Sequence, residues 1–214
     1  MARKKKIVES TPSPSGYLGA VSGHQVLIEA PDFSAFSYRD LAWPLACECR
    51  FGNQLPPGNF YSVAQHSLLC AAMYLDDIMA DSVRVEPGEW DVVMALLLHD
   101  MHEGLLRDIS TPLKDHIPGY RELEARFSAA IHRRFELPDP DVALVKRYDQ
   151  IALITEREVF DVDPRGDWSW CKAVSRAATM STRMRAVFAM NIGEAALALE
   201  KALEHAQFRR GARM

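Results

Sequence analysis

The sequence predicts a mainly α-helical protein with a small β element near its N-terminus. Apolar residues recur at helical spacing in several segments between residues 37 and 208. Stretches rich in Pro and Gly separate these segments from one another. Residues 17–28 instead hold two short apolar stretches on either side of a turn, which is typical of a β-hairpin. Together these patterns favour a packed bundle of helices with one hairpin.

The chain divides into three parts. Residues 1–16 start with basic residues and continue into a polar, Pro-containing stretch instead of an apolar run, so we expect a flexible basic arm and no secretory signal. Residues 17–36 form the small β element, and residues 37–208 form the helical domain. No stretch approaches the roughly 18 apolar residues of a membrane span. We therefore expect a cytoplasmic protein with no membrane partner.

Helix boundaries follow from local signals. Ser37 and Asp40 form a capping box that opens the first helix, and Pro44 inside it predicts a kink or a late start. A buried central helix ends in the run Ala95–Leu98, which is apolar nearly all round. A short element contains Pro112. Further helices are predicted over residues 63–80, 120–135, 141–160 and 182–208.

Charge and cysteine content limit the classes of partner. The formal net charge of -4 argues against a nucleic-acid polymer as partner, although a local basic patch could still hold a small phosphate ligand. The alternating charges of residues 121–134 indicate a solvated helix face. The four cysteines lack the spacing of a zinc cage or a disulfide framework, so we expect reduced thiols packed in helices: Cys47, Cys49, Cys70 and Cys171.

The dipeptide His99-Asp100 interrupts the apolar run of the central helix. Burying a carboxylate beside aliphatic side chains costs several kcal/mol unless a cation or hydrogen bonds satisfy it. Imidazole and carboxylate are both ligands for divalent metals, so a metal site is one explanation, and a solvated helix end is the other. If the helix continues, Glu103 points to the same side as this pair. His66 and Asp149 lie in other helices, and a lone His or Asp in a helix is more often structural than a metal ligand.

The order His66, His99-Asp100 and Asp149 on separate helices resembles the signature of the HD-domain metal-dependent phosphohydrolases. Residues 63–67 look like the first-His segment of that family. Residues 99–103 and 108–114 look like the branch that contains bacterial 5'-deoxynucleotidases. The resemblance covers about residues 37 to 160. The hairpin-like start resembles uncharacterised members of the same superfamily and indicates nothing about substrate.

The resemblance implies an all-α HD-domain helical bundle and one divalent metal ion, which could be cobalt, manganese, iron, zinc or magnesium. The ligands would be His66, His99, Asp100 and Asp149, with coordination positions left open for water and a phosphate oxygen. Relatives with several metals carry an adjacent His pair between the HD dipeptide and the last Asp. This sequence has no such pair there, which favours a mononuclear site.

The resemblance also suggests roles around the metal. Glu103 would orient or deprotonate the attacking water, and Asp108 would hold the sugar or help to protonate the leaving oxygen. Arg50, followed by Phe51, lies where the branch carries a substrate-contacting Arg followed by an aromatic residue. Arg107 departs from the branch, which usually has a small residue there. Further substrate contacts are expected from Ser110, Thr111, Lys114 and His102, although His102 could equally be a surface group.

The expected activity is hydrolysis of phosphate from a small-molecule nucleotide, a (deoxy)nucleoside 5'-monophosphate in the first instance. A dNTP triphosphohydrolase on the same scaffold is the alternative substrate class. A non-catalytic nucleotide sensor and an interaction protein with a structural metal are the alternatives to an enzyme. The apolar face of the last helix, at Ala195, Leu197, Leu199 and Leu203, could support a homodimer or complete the core.

Overall fold

The computed structural model describes residues 16–81, 84–137 and 141–211. The predicted fold class is confirmed, because the chain is mostly helical with a small two-stranded antiparallel sheet. Strand β1 (Tyr17–Gly19) pairs with β2 (Gln25–Leu27), and Leu18 lies opposite Val26. The predicted arm lies outside the described residues apart from Gly16.

The hairpin is attached to the start of the first helix. Helix α1 (Tyr38–Cys47) begins with the predicted capping box of Ser37 and Asp40, and Pro44 lies inside it. Oδ2 of Asp40 serves the capping box, and its Oδ1 accepts a hydrogen bond from the backbone N–H of Ser22 in the hairpin turn at 2.8 Å. Val26 is fully buried, so both a polar and an apolar contact hold the hairpin against the helices.

Helix α2 lies at the centre of the bundle. Its residues 63–74 are all buried except the partly buried Leu68, and it packs against helices on several sides. After α1, the helices in chain order are α2 (Val63–Asp81), α3 (Glu89–Leu98), α4 (Glu103–Leu106), α5 (Thr111–Lys114), α6 (Tyr120–Arg134), α7 (Val142–Phe160), α8 (Thr182–Phe188) and α9 (Ile192–Gly211). Helices α3, α7, α8 and α9 all contact α2, so polar side chains of α2 are enclosed by the bundle.

The prediction of one helix over residues 182–208 is wrong, because the chain forms α8 and then α9. Asn191 starts the second helix with a capping box of its own. Its side-chain oxygen accepts from the backbone N–H of Glu194 at 3.0 Å, and the Glu194 carboxylate accepts from the backbone N–H of Asn191 at 2.9 Å. This reciprocal pair favours a new helix start over continuation.

A continuous helix through His99-Asp100 to Glu103 is also not observed. Helix α3 ends at Leu98, residues 99–102 form turns, and α4 starts at Glu103. The turns redirect the chain so that α4 packs on α1. A side chain added at Gly104 would lie 3.1 Å from the Cβ of Pro44, so the close approach of the two helices favours glycine.

The apolar face of α9 completes the core of the chain. Ala195, Leu199 and Leu203 are fully buried, whereas Leu197 is about half exposed. Helix α9 packs on α1, α2 and α3. The sequence left open whether this apolar face supports a homodimer or completes the core. Burial of three of the four residues within one chain accounts for the apolar face by core packing.

Candidate metal centre

His66 lies at the centre of the bundle, on the buried part of α2. Its Nδ1 is 2.6 Å from Oε1 of Glu156, so the ring donates its Nδ1 proton to that carboxylate. Its Nε2 points the other way, 3.3 Å from Oδ1 of Asp149 and 3.7 Å from Oδ2 of Asp100. The carboxylate behind the ring thus directs Nε2 toward two further carboxylates.

His99 reaches the same point from the end of α3. Its Nδ1 lies 2.8 Å from the carbonyl oxygen of Leu96, which can only accept, so Nδ1 carries a proton. Its Nε2 lies 3.1 Å from Oδ2 of Asp100 and 3.3 Å from Nε2 of His66. Two nitrogen lone pairs cannot face each other at this distance without repulsion. The pair therefore needs a proton or a cation between the rings.

The four side chains fit a shared divalent ion. Protein nitrogen and oxygen ligands lie about 2.0–2.2 Å from zinc, so ligands of one ion are about 3–3.5 Å apart. The contacts that join His66, His99, Asp100 and Asp149 run from 3.1 to 3.7 Å. The structure thus brings together all four residues that the sequence proposed as ligands. Buried His, Cys and Glu groups at this end of the bundle could hold a metal ion.

The charges around the cluster favour a positive charge at its centre. Burial and Arg50 lower the pKa of His66, but Cys70, Glu156 and Asp149 outweigh them and raise that pKa well above its usual value. Burial alone would raise the pKa of Asp100, yet the imidazole of His99 holds it well below its usual range. The cluster therefore gathers positive charge between ionised carboxylates, which is the electrostatic setting of a metal site.

One side of the cluster is accessible. The side chains of Asp100 and Asp149 are 19% and 18% exposed, whereas that of His66 is fully buried. The mostly exposed Lys146 contacts Asp149 at 2.6 Å. The two carboxylates are therefore the part of the cluster that solvent reaches.

A buried layer of charged residues supports His66. Oε1 of Glu156 also accepts from the hydroxyl of Tyr61 at 3.1 Å, and its Oε2 accepts from Nη2 of Arg50 at 3.3 Å. Nη1 of Arg50 lies 3.7 Å from Asp100, so this cation links the supporting layer to the ligands. Burial works to raise the pKa of Glu156, but His66 and Arg50 outweigh it and lower that pKa.

Glu156 and Cys70 were not identified from the sequence. Glu156 follows Asp149 by seven residues, which places both on one face of α7. Cys70 follows His66 by four residues on α2, and its Sγ lies 3.7 Å from Nε2 of His66. The sequence pattern had indicated that Cys70 is a packing thiol. Helical spacing from the proposed ligands is the signal that could have identified both residues.

Glu103 lies in a second cluster beside the first. It is buried, and its Oε1 accepts from Nζ of Lys114 at 3.3 Å. Lys114 also contacts Glu124 at 2.6 Å, and Glu124 lies 3.4 Å from Nε2 of His102. Burial, followed by the charges of Asp100 and Asp108, raises the pKa of Glu103 well above its usual value. Glu124 is thus a partner of two site residues, although residues 121–134 were interpreted as a solvated face.

The other predicted substrate contacts lie around these clusters. Asp108 is partly buried, burial raises its pKa, and its backbone N–H donates to Glu48 at 3.2 Å. Phe51 lies in a turn beside Arg50, whose guanidinium carbon is 5.7 Å from the centre of the phenyl ring. Ser110 and Thr111 are exposed at the start of α5. These two hydroxyls are therefore peripheral to the buried groups.

No protein-family model matches the chain. The chain is 33% identical over 129 residues to the uncharacterized protein YfdR of Escherichia coli, a match that covers 60% of this chain and 64% of the relative. It is 37% identical over 131 residues to the uncharacterized protein RCAP_rcc00048 of Rhodobacter capsulatus, covering 59% of this chain and 62% of the relative. The chain thus spans less than two thirds of the length of these relatives.

Within the part of the chain that the structure describes, no helix combines the length and apolar character needed to cross a membrane.

Proposed function

We propose that this chain is a divalent-metal-dependent phosphohydrolase of the HD type. The observation that carries the proposal is the pair of opposed Nε2 atoms of His66 and His99, flanked by the carboxylates of Asp100 and Asp149. Each imidazole is oriented by an acceptor at Nδ1, which is how proteins fix the rings of metal-ligating histidines. Two imidazoles and two carboxylates suit a single zinc, iron, cobalt or manganese ion.

The partly exposed carboxylates support a catalytic centre over a structural one. A structural metal site is closed by protein ligands, whereas a catalytic site keeps a position for water or substrate. When bound, the ion would polarise a phosphate oxygen and lower the pKa of a coordinated water. The accessible side at Asp100 and Asp149 is where a phosphate ester would enter.

Glu103 is the proposed general base. Its Oε2 is buried and has no hydrogen-bond partner within the described ranges, so it is free to accept a proton from the attacking water. Lys114 holds the other oxygen at 3.3 Å and offsets the charge of the ionised form. The water would attack phosphorus opposite the leaving oxygen, and Asp108 would supply the proton that this oxygen needs.

Arg50 would stabilise negative charge on the transferred phosphoryl group. Its guanidinium is held between Glu156 and Asp100, which fixes the cation at the edge of the metal centre. Guanidinium suits phosphate oxygens because its donors lie in one plane. Phe51, next in the chain, lies beside this cation and would contact the nucleoside.

The proposed substrate is a (deoxy)nucleoside 5'-monophosphate in the cytoplasm. Support for the substrate comes from the motif around His99 and Asp108 and from the formal net charge of -4, which disfavours a nucleic-acid polymer as substrate. The four cysteines, Cys47, Cys49, Cys70 and Cys171, are free thiols, which suits a reducing compartment.

A nucleotide panel tested with several metals decides between the candidate functions. Purified protein is incubated with cobalt, manganese, zinc or magnesium and with nucleoside mono-, di- and triphosphates, and the products are separated. Inorganic phosphate from monophosphates supports the proposal. Release of triphosphate from dNTPs would identify the alternative substrate class, nucleotide binding without turnover would identify a sensor, and metal binding without either would identify a structural centre.

A further inference from the structure

Cys70 lies one helical turn after His66 on α2, and its side chain is fully buried beside the metal centre. We propose that the Cys70 sulfur is a further metal ligand and that it makes the centre prefer a zinc-like ion over magnesium. This inference rests on the proposed metal centre. It adds a ligand that the four-residue signature does not contain.

The geometry around Cys70 fits a shared ion. A zinc–sulfur bond is about 2.3 Å long and a zinc–nitrogen bond about 2.0–2.1 Å, so neighbouring sulfur and nitrogen ligands lie about 3.1 Å apart on a six-coordinate ion and about 3.6 Å apart on a tetrahedral one. The distance from Sγ of Cys70 to Nε2 of His66 is 3.7 Å. The ligand atoms of His66, Cys70 and His99 all lie within 4.8 Å of one another. Two oriented imidazoles therefore accompany this thiol.

The thiol has a second polar neighbour besides His66. The carbonyl oxygen of Tyr148 lies 3.8 Å from Sγ and can accept a weak S–H hydrogen bond. Tyr148 directly precedes Asp149, so the thiol is bordered by α7 at the residue that supplies a carboxylate ligand. When the sulfur–metal bond forms, the S–H bond breaks and the thiol proton passes to solvent.

A sulfur ligand changes which ions the centre accepts. Magnesium prefers oxygen ligands, whereas thiolate and imidazole together favour zinc, cobalt and iron. Five protein ligands would still leave one position of a six-coordinate ion for a water or a phosphate oxygen. The inference is therefore compatible with an open centre.

Cobalt titration of the full-length protein tests the proposal without using activity. Cobalt(II) bound to a thiolate gives an intense charge-transfer absorption in the near ultraviolet, and cobalt bound only to nitrogen and oxygen does not. We expect the band in the wild-type protein and in Cys171→Ser, a matched variant of another buried cysteine. We expect Cys70→Ser to bind cobalt without the band.

A second measurement keeps the proposal testable if Cys70→Ser does not fold. X-ray absorption of the zinc-loaded Cys47→Ser/Cys49→Ser/Cys171→Ser protein, which retains Cys70 as its one cysteine, should show one sulfur atom at about 2.3 Å. If Cys70→Ser folds, it should bind zinc about tenfold or more weakly than wild type does. Its magnesium affinity should change less than about twofold.

The outcomes separate this inference from the proposed function. Stoichiometric cobalt binding without the band, or a zinc shell with only nitrogen and oxygen, overturns the role of Cys70 and leaves the four-ligand centre intact. A folded wild-type protein that binds neither cobalt nor zinc overturns both.

Discussion

The Nε2 atoms of His66 and His99 lie 3.3 Å apart, and each ring is fixed in that orientation from behind. The acceptor behind His66 is the buried carboxylate of Glu156, and the acceptor behind His99 is the carbonyl of Leu96. Because the rings belong to α2 and to the end of α3, their alignment depends on how these helices pack. The candidate function follows from this arrangement, and its parts can be tested separately.

Glu156→Gln should weaken metal binding although Glu156 is not a proposed ligand. The amide lacks the charge that orients and polarises His66, and loss of such a supporting group typically costs about 10–100-fold in metal affinity. Isothermal titration with zinc measures the effect. The exposed Glu158→Gln, on the same helix, is the matched control and should bind zinc like wild type. Equal affinities in both variants would contradict the supporting role.

Glu156→Gln should also reduce stability. The change removes the charge of the fully buried partner of Arg50 at 3.3 Å and leaves only the partly exposed Asp100 at 3.7 Å, and loss of one member of a buried ion pair typically costs about 3–5 kcal/mol. Urea unfolding of the metal-free proteins gives the difference in the free energy of unfolding. A loss below about 1 kcal/mol would show that the pair is not buried as described.

Metal affinity should fall as the pH is lowered. The surrounding anionic groups raise the pKa of His66, so the metal-free protein keeps a proton on this ring at higher pH than an ordinary histidine does. The protonated ring has no lone pair for a metal, and binding must release that proton. Zinc affinity measured between about pH 6 and pH 8 should therefore rise with pH.

The measurement should be repeated in two buffers with different ionisation enthalpies, so that proton release is counted directly. Affinity that is independent of pH, with no proton release, would contradict the assignment of His66 as a ligand.

Glu103→Gln should abolish most turnover while leaving the metal in place. Removal of a general base typically costs about 10²–10⁴-fold in rate. The amide retains the size of the side chain, so metal content by elemental analysis should stay near wild type. Glu122→Gln, an exposed change on α6, is the control and should keep full activity. Loss of metal together with activity would mean that Glu103 acts on the centre itself.

Asn191→Ala should destabilise the fold without affecting the site. It removes the side-chain acceptor that caps α9, and such a loss costs about 1 kcal/mol. Thermal unfolding of the metal-free protein measures this cost, and zinc titration should show unchanged affinity. A wild-type melting temperature would contradict the capping role of Asn191.

The general form of this molecule could be predicted because it depends on local signals. The hairpin, the helix start at Ser37 and helix α2 follow from turn residues, caps and apolar spacing, whereas the central position of α2 was not predicted. The break between α8 and α9 was missed because the apolar pattern resumes after Asn191. Its capping box with Glu194 carried the missing signal.

The four proposed ligands could be selected from the sequence, but their support could not. His66, His99-Asp100 and Asp149 form a recognisable order along the chain. Glu156, Glu124 and Cys70 are single residues in ordinary helices, and their significance depends on contacts with other helices. The spacing along the sequence places each of these residues on a face of its helix, but it does not show which residues that face contacts.

The account depends most directly on metal-dependent release of phosphate from a nucleotide. The decisive measurement compares phosphate release from deoxynucleoside 5'-monophosphates by the wild-type protein with bound cobalt or manganese, by the same protein after chelation, and by Asp100→Ala. The exposed Asp115→Ala serves as a control that the substitution itself does no harm. We predict turnover by wild type and Asp115→Ala with metal, and none by the chelated protein or by Asp100→Ala. Folded, metal-loaded wild-type protein that hydrolyses no phosphate ester, or Asp100→Ala that matches wild type, would contradict the account.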